Sequence, residues 1–419
     1  MRSLAFVVAF LLVGVSYGEP RKDYAGAQVL RATPENESQL HYLRGLLMKN
    51  VYDFWTEPGA VGRPVDILAT AFQLPVLKKT LARLGLDFSV HIGNVGDLLK
   101  ESRIAQERAE AHRQSSMDWN SYHRYDGIMA WLESLATEYP DLCSIEDVGT
   151  SYEGRTMKLF RLGSGPDTNP GIFVDGGLHA REWISPAVVT YIINELVRDR
   201  VIYSDLLSKV NFYVMPVINP DGYEYSFTDE RLWRKTRSDT DSARGCKGVD
   251  GNRNWAFHWM EVGASDDPCS NLYAGPEAFS EVEMRVVRDQ ILRFKDNLKA
   301  YLTFHSYSQL LLYPWGYTSD LPEDWRDLDS LAQDAADALF RVHHKHYKVG
   351  SVTHVLYEAA GGSDDWAKGV AGVKYSYTLE LRDKGHYGFV LPATEIIPSG
   401  EETFEGFMVV ANFIRDHYS

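Results

Sequence analysis

His179 and Glu182 stand three residues apart in Gly176-Gly177-Leu178-His179-Ala180-Arg181-Glu182-Trp183. An imidazole and a carboxylate at that separation in a tight turn can face a single metal ion. The apolar run Gly171-Ile172-Phe173-Val174 leads into the turn and reads as a buried strand. Ser185-Pro186 follows, a helix N-cap with proline in the first turn, and then the periodic apolar run from Ala187 to Leu196. The pair therefore belongs at the C-terminal end of a strand, just ahead of a helix, where open α/β sheets bind their ligands. His258-Trp259-Met260-Glu261 repeats the spacing without comparable strand and helix patterns and reads as coincidence. A catalytic zinc site takes three protein ligands and leaves one position open. The expected third ligand is His305, which closes the strand-like run Tyr301-Leu302-Thr303-Phe304 before the chain turns polar at Ser306-Tyr307-Ser308. The competing histidines, His343, His344 and His346, end a long helical pattern, where cationic side chains suit the dipole, and read as a solvated helix end.

The chain that must position these groups has 419 residues, 44% apolar and 24% charged, a composition that supports a large core. Its net charge of −15 argues against nucleic acid and anionic membrane surfaces as partners. Arg2, the nearly unbroken apolar run from Ser3 to Val15, and Ser16-Tyr17-Gly18 have the layout of a secretory signal peptide, so a secreted, extracellular protein is expected. Secretion permits disulfides; Cys246 and Cys269, in a polar loop-like region, are the expected pair, and Cys143 is expected to be a buried thiol.

Residues 19 to about 95 alternate strand (Tyr24–Ala32), amphipathic helix (Glu37–Lys49), strand (Val65–Ala69), helix (Leu74–Leu84) and strand (Phe88–Ile92), a small α+β unit with its own core. Asn36-Glu37-Ser38 within it is a glycosylation sequon. A charged helical linker over 97–113 carries Arg103, Arg108 and Arg113, targets for a trypsin-like protease. From Trp119 on, strand patterns at 156–160, 171–174, 210–217, 301–304 and 375–381 alternate with helix patterns at 125–138, 186–199, 280–295, 326–344 and 403–418. That alternation predicts an α/β fold, a mostly buried sheet with helices on both faces.

Five motifs in this order resemble the zinc metallocarboxypeptidases of the pancreatic, digestive A/B type in zymogen form, the B type above all. They are His179-Ala180-Arg181-Glu182-Trp183, Arg231-Leu232-Trp233-Arg234-Lys235-Thr236-Arg237, Asp250-Gly251-Asn252-Arg253-Asn254-Trp255, His305-Ser306-Tyr307-Ser308-Gln309 and Glu380-Leu381-Arg382-Asp383. The resemblance implies a mixed, mostly parallel sheet sandwiched by helices, preceded by a small antiparallel α+β activation domain. It divides the chain into a signal peptide (1–18), an activation domain with linker helix (19–113) and a catalytic domain (114–419). It implies one zinc ion on His179, Glu182 and His305, the ligand set known in that family.

Glu380 would act as general base and acid, and Arg234 would stabilise the oxyanion. Arg253, a planar bidentate donor, would hold the free C-terminal carboxylate of a peptide with Asn252 and Tyr357. Arg181 would contact substrate further from the cut. Asp364, in Gly361-Gly362-Ser363-Asp364-Asp365-Trp366, falls where A-type enzymes are apolar and B-type enzymes have Asp, and would pair with a terminal Lys or Arg. Phosphate binding by that glycine-rich loop is disfavoured by its two carboxylates and by the lack of a following helix pattern. Read without the resemblance, Glu380 is a strand-end carboxylate that could pair with Arg382. Val352, five residues before Tyr357, is bulkier than expected in many B-type pockets.

The expectation is thus a monomeric secreted zymogen, cut near Arg113 (or at Arg108 or Arg103) by a trypsin-like protease to start around Gln114. It would release Lys or Arg from the C-termini of peptides or proteins. The alternatives are an A-type apolar preference and a catalytically silent C-terminus binder; the complete set of His179, Glu182, His305, Arg234 and Glu380 argues against silence.

Overall fold

The computed structural model describes residues 22–112, 117–241 and 243–419. The expected signal peptide, Arg113 and the expected new terminus at Gln114 lie outside the described residues. The first unit runs β1 (Gln28–Thr33), α1 (Glu37–Met48), β2 (Asp53–Phe54), β3 (Val65–Ala69), α2 (Leu74–Arg83) and β4 (Asp87–Ile92), followed by the connecting helix α3 (Val95–His112). Its sheet has the order β2-β3-β1-β4 and is antiparallel throughout. Asn36 caps α1, accepting from the Gln39 N–H at 3.0 Å, so the sequon sits at a helix start. Leu30, Leu43, Ile67, Leu77 and Leu81 form the unit's own core. β1 begins four residues later than expected because Tyr24 turns away from it. The Tyr24 ring joins Trp55, Tyr307 and Phe389 in an apolar cluster between the two units.

The second unit continues α4 (Tyr125–Glu138), β5 (Cys143–Thr150), β6 (Thr156–Leu162), β7 (Gly171–Asp175), α5 (Ile184–Arg198), α6 (Ser204–Lys209), β8 (Asn211–Met215) and α7 (Pro220–Thr228). A small hairpin of β9 (Asp239–Asp241) and β10 (Cys246–Lys247) precedes α8 (Val282–Phe294), β11 (Leu298–Ser306), β12 (Leu310–Tyr313), α9 (Trp325–His343) and β13 (Lys348–Ser351). Last come α10 (Val352–Val355), α11 (Ser363–Gly369), β14 (Tyr375–Leu381) and α12 (Ile396–Tyr418). The eight-stranded sheet has the order β13-β12-β14-β11-β7-β8-β6-β5. Its centre, β14-β11-β7-β8, is parallel, and antiparallel pairings join β12, β6 and β5 to it.

Alternation along the central strands feeds two cores. Ile172, Val174, Phe212, Val214, Leu302 and Phe304 face α4, α5, α9 and α12; Phe173, Tyr213, Met215 and Tyr301 face α8 and α11. Burial on both faces is why these strands read as unbroken apolar runs. Three expectations are corrected. Ser185 is not the cap of α5: the helix starts at Ile184, and the Ser185 hydroxyl donates to the Phe304 carbonyl while accepting from the Gly177 N–H. That hydroxyl ties the ends of β7 and β11 together, the two strands that carry the expected ligands. A helix does follow the Gly361-Gly362 turn, since α11 begins at Ser363. The last helix starts at Ile396 rather than 403, with Pro398 accommodated in its first turn. Cys246 and Cys269 are joined, and Cys143 is a buried thiol.

Candidate active site

His305 and Glu380 are register partners on the parallel strands β11 and β14, so both side chains leave the sheet at the same level. His179 lies just past the end of β7. The turn that delivers it needs Gly177, at φ +61, where a Cβ would meet Pro186 and Val217 at 3.0–3.2 Å. His179 Nδ1 is 2.8 Å from Glu182 Oε1 and 3.1 Å from His305 Nδ1, and His305 Nδ1 is 3.0 Å from Glu182 Oε2. Among the described residues this is the one grouping of three such ligands, within 4.8 Å of one another and all buried. Two imidazole nitrogens that close can share only one proton, and a carboxylate between them adds a further lone pair, so the donors fit a cation such as zinc. The outer nitrogens are held as well: His179 Nε2 by Asp250 at 3.1 Å, and His305 Nε2 by Thr303, whose hydroxyl donates to Asp175.

Burial alone would raise the Glu182 carboxyl, but the two imidazoles outweigh it and hold it well below the usual range. Glu380 is pushed up to about 8, first by burial and also by Glu182, against the pull of His305 and Arg234. A divalent charge beside it would favour the ionised form that a base requires. Glu380 does not pair with Arg382, which is held by Glu395 and Glu402. Arg234 pairs through Nε and Nη2 with Asp250, a carboxylate wholly removed from solvent. Asp250 thus orients both a ligand histidine and the expected oxyanion donor.

Arg253 lines the same cleft beside Asn252, Tyr357 and Asp364. It does not present a free fork: Nε and Nη1 donate to the carbonyls of Gly263 and Asn252, and Nη2 faces Glu57 of the first unit at 3.0 Å. Asn252 Oδ1 accepts the Ser363 N–H, fixing the start of α11 against the turn that carries Asn252 and Arg253. Asp364 is 5% exposed and its Oδ2 makes no hydrogen bond, whereas Asp365 accepts the N–H groups of Gly316 and Tyr317. Burial raises the Asp364 carboxyl. Val352 also lines the cleft, packed near Gly316, which has no side chain to compete with it.

The segment around β2 threads this cleft, and nothing in the sequence pattern announces it. Asp53 receives Arg181 Nη1 at 3.0 Å and Asn271 Nδ2 at 2.9 Å. The Trp55 ring meets Tyr307 and Phe389 edge-on. Glu57 takes Arg253. Asp66, paired with Arg31, accepts the Tyr307 hydroxyl at 2.8 Å. With the segment in place the remaining cavity is about 80 Å³, far below the roughly 300–1,000 Å³ of a ligand pocket. The second His-x-x-Glu copy is an isolated pair, His258 to Glu261, with His258 stacked on Tyr317. The histidines after α9 do end a helix: His343 pairs with Glu401, and His344 takes the left-handed cap conformation.

A strand-end His-Glu-His cluster, a buried arginine beside it whose Nη2 faces an acid of the first unit, and a small antiparallel unit seated over both define a metallopeptidase held in an inactive form. The chain belongs to the zinc carboxypeptidase family: the family model for zinc carboxypeptidase matches residues 128–406, and that for carboxypeptidase activation peptide matches residues 30–102. It is a zinc metallocarboxypeptidase with its activation peptide attached, a zymogen that a protease must cut, acting on peptide C-termini. It is similar to carboxypeptidase B of Astacus astacus, 69% identical over 303 residues that cover 72% of this chain and all of that one. Carboxypeptidase A2 of Rattus norvegicus is 39% identical over 415 residues, 97% of each chain. The crystal structure of carboxypeptidase A from Helicoverpa armigera superposes with a TM-score of 0.89 at 31% identity, over 94% of this chain and 98% of that one.

Proposed function

We propose that the activated enzyme hydrolyses the last peptide bond of chains ending in Lys or Arg. The observation that carries this reading is the buried Asp364 with an unpartnered Oδ2 in the cleft wall. Thr378 and backbone N–H groups support the Asp364 carboxyl, but among the described residues no cationic side chain pairs with it; burying such a carboxylate is costly, and a substrate ammonium or guanidinium would relieve it. Asp365 is already satisfied by backbone donors, so the two neighbouring acids differ in what they still need. The carboxypeptidase B relative supports the same choice. Leu312, Val352, Leu356 and Ala359 supply apolar walls, and the A-type relative makes release of apolar residues the second reading.

In the proposed reaction Arg253, Asn252 and Tyr357 hold the terminal carboxylate. Glu380 takes a proton from the attacking water and returns it to the leaving amine. Arg234, held rigid by Asp250, donates to the oxygen that becomes negative. His179, Glu182 and His305 would hold one zinc ion, which would supply Lewis acidity and lower the pKa of a bound water.

The reading extends to a secreted monomer with the boundaries 1–18, 19–113 and 114–419, cut by a trypsin-like protease in the arginine-bearing linker. No helix of the described residues is long and apolar enough to cross a membrane. The test is to treat the protein with trypsin and compare peptides ending in Arg, Lys, Phe and Leu, with and without a zinc chelator. Activity on Arg and Lys only after trypsin, lost to the chelator, is expected. Release of Phe or Leu instead would remove Asp364 from its role, and absence of any release would leave a silent binder.

A further inference from the structure

The two donors on Asp53 are a feature of the catalytic unit, not of the unit that Asp53 belongs to. Arg181 places Nη1 within 3.1 Å of both carboxylate oxygens, and Asn271 adds Nδ2 to one of them. Arg181 is 1% exposed, stacks on the Phe389 ring at 3.9 Å and has a buried Nε without a partner. Directly behind it lies Arg231, which donates to the Arg181 and Phe389 carbonyls and stacks on Trp183. Burial lowers the Arg231 guanidinium, and no carboxylate pairs with it among the described residues. Among the described residues Asp53 is the one carboxylate paired with the buried Arg181, and it departs with the activation unit. Glu230 of the catalytic unit, held by Lys22 and Tyr24 of the departing unit, lines the adjoining surface hollow rather than the cleft.

Chain direction links this spot to the substrate path. The segment from Asp53 to Glu57 runs with Glu57 on the carboxylate-holding Arg253 and Asp53 upstream on Arg181. A peptide with its C-terminus on Arg253 would lie with the same polarity. We infer that Arg181 and Asn271, backed by Arg231, form an anion subsite that selects Asp or Glu a few residues before the scissile bond. The favoured substrates would then be peptides with an acidic side chain near a basic C-terminus. The inference rests on the carboxypeptidase reading of the cleft. It concerns a side chain, so it differs from a contact to peptide carbonyls, which every sequence offers equally. The chain as a whole is acidic, so the effect is local to this pair of arginines.

The experiment uses the trypsin-activated protein and peptides ending in Lys or Phe, with Asp, Glu, Ala or Lys placed singly at the second, third or fourth position from the end. At one of these positions kcat/KM for Asp or Glu should exceed that for Ala about tenfold or more, as for a charge-assisted bond to a buried arginine. Asn271→Leu should shrink that ratio and Asn271→Asp should bring it to one or below. A ratio near one at all three positions overturns the inference, as does an Asn271→Asp variant that loses activity equally on acidic and neutral peptides. Binding of the same peptides to the Glu380→Gln form reads the ratio without turnover. Acid preference on Phe-ended rather than Lys-ended peptides would remove the terminal specificity and keep the subsite; Lys release without acid preference would do the reverse.

Discussion

Asp364 and Asp365 are adjacent acids with different surroundings, and the difference is what each still lacks. Replacing Asp364 by Ile should lower kcat/KM for Lys- and Arg-ended peptides by about 10² or more, since breaking a buried pair costs roughly 3–5 kcal/mol, and should raise release of Leu or Phe. A variant that kept its preference for basic ends would show that another group reads the side chain. Glu380→Gln should cut kcat by about 10²–10⁴, the range for a lost general base, while bound zinc measured by metal analysis stays at one per chain. Loss of zinc together with activity would instead make Glu380 part of the metal's support. The grouping that could hold a metal was legible because His179, Glu182 and His305 stand where apolar strands end, a position that the sequence pattern marks. Asp250, Asn271, Asp53 and Glu57 were not. They are ordinary residue types, three of them among 58 acids, and their roles come from arginines that meet them only in three dimensions.

Elements buried on both faces were found from their apolar runs, and those held by edges or loops were missed. β12, β13, α6, α10 and α11 are short, and tertiary pairing rather than their own pattern makes them regular. α8 shows what such docking costs. Its Glu283 is fully buried, accepts the Tyr152 N–H with Oε1 and leaves Oε2 unpartnered. Burial pushes its pKa up from 4.5 to about 7. Below pH 4.5 the folded and unfolded forms are both protonated. Between 4.5 and about 7 only the unfolded form ionises, so stability falls as pH rises, by about 3 kcal/mol in all, and then levels off. The thermal midpoint of Glu283→Gln should therefore decline less than that of the parent from pH 4.5 to 7.5; equal declines would assign the effect elsewhere. The β2 segment is an element of the same kind, two residues of strand whose acids fill the cleft. Asp53→Asn with Glu57→Gln should raise the uncut zymogen's hydrolysis of a small substrate roughly 10–100-fold, the value of two charged hydrogen bonds partly lost. An unchanged rate would place the block in the Trp55 packing alone.

At the scale of the whole molecule, the linker proposed as the place of the cut and the place where the cleft is blocked are different. Arg103 and Arg108 are exposed on α3, which touches the catalytic unit through Gln106 on the Tyr122 backbone. The cleft is closed by contacts that a cut in the linker leaves intact: Asp53 on Arg181 and Asn271, Glu57 on Arg253, Asp66 on Tyr307, and Arg63 on the carbonyls of His354 and Leu356. Asn50 adds a bond to the Cys269 carbonyl, so the disulfide-bonded loop is part of the seat. Most of these groups are buried, so salt screens them weakly, and Trp55 must leave an aromatic slot before the cleft opens. Activation should then proceed in two kinetic steps. At saturating trypsin, gel analysis should show the linker cut before activity appears, and the later rate should no longer depend on trypsin dose. Trp55→Ala, which empties the slot between Tyr307 and Phe389, should shorten that lag about tenfold or more, because the lost contact slows only dissociation. Activity that rose in step with the cut at every dose would mean that the linker itself holds the unit down, and that the cleft contacts are too weak to do so once it is severed.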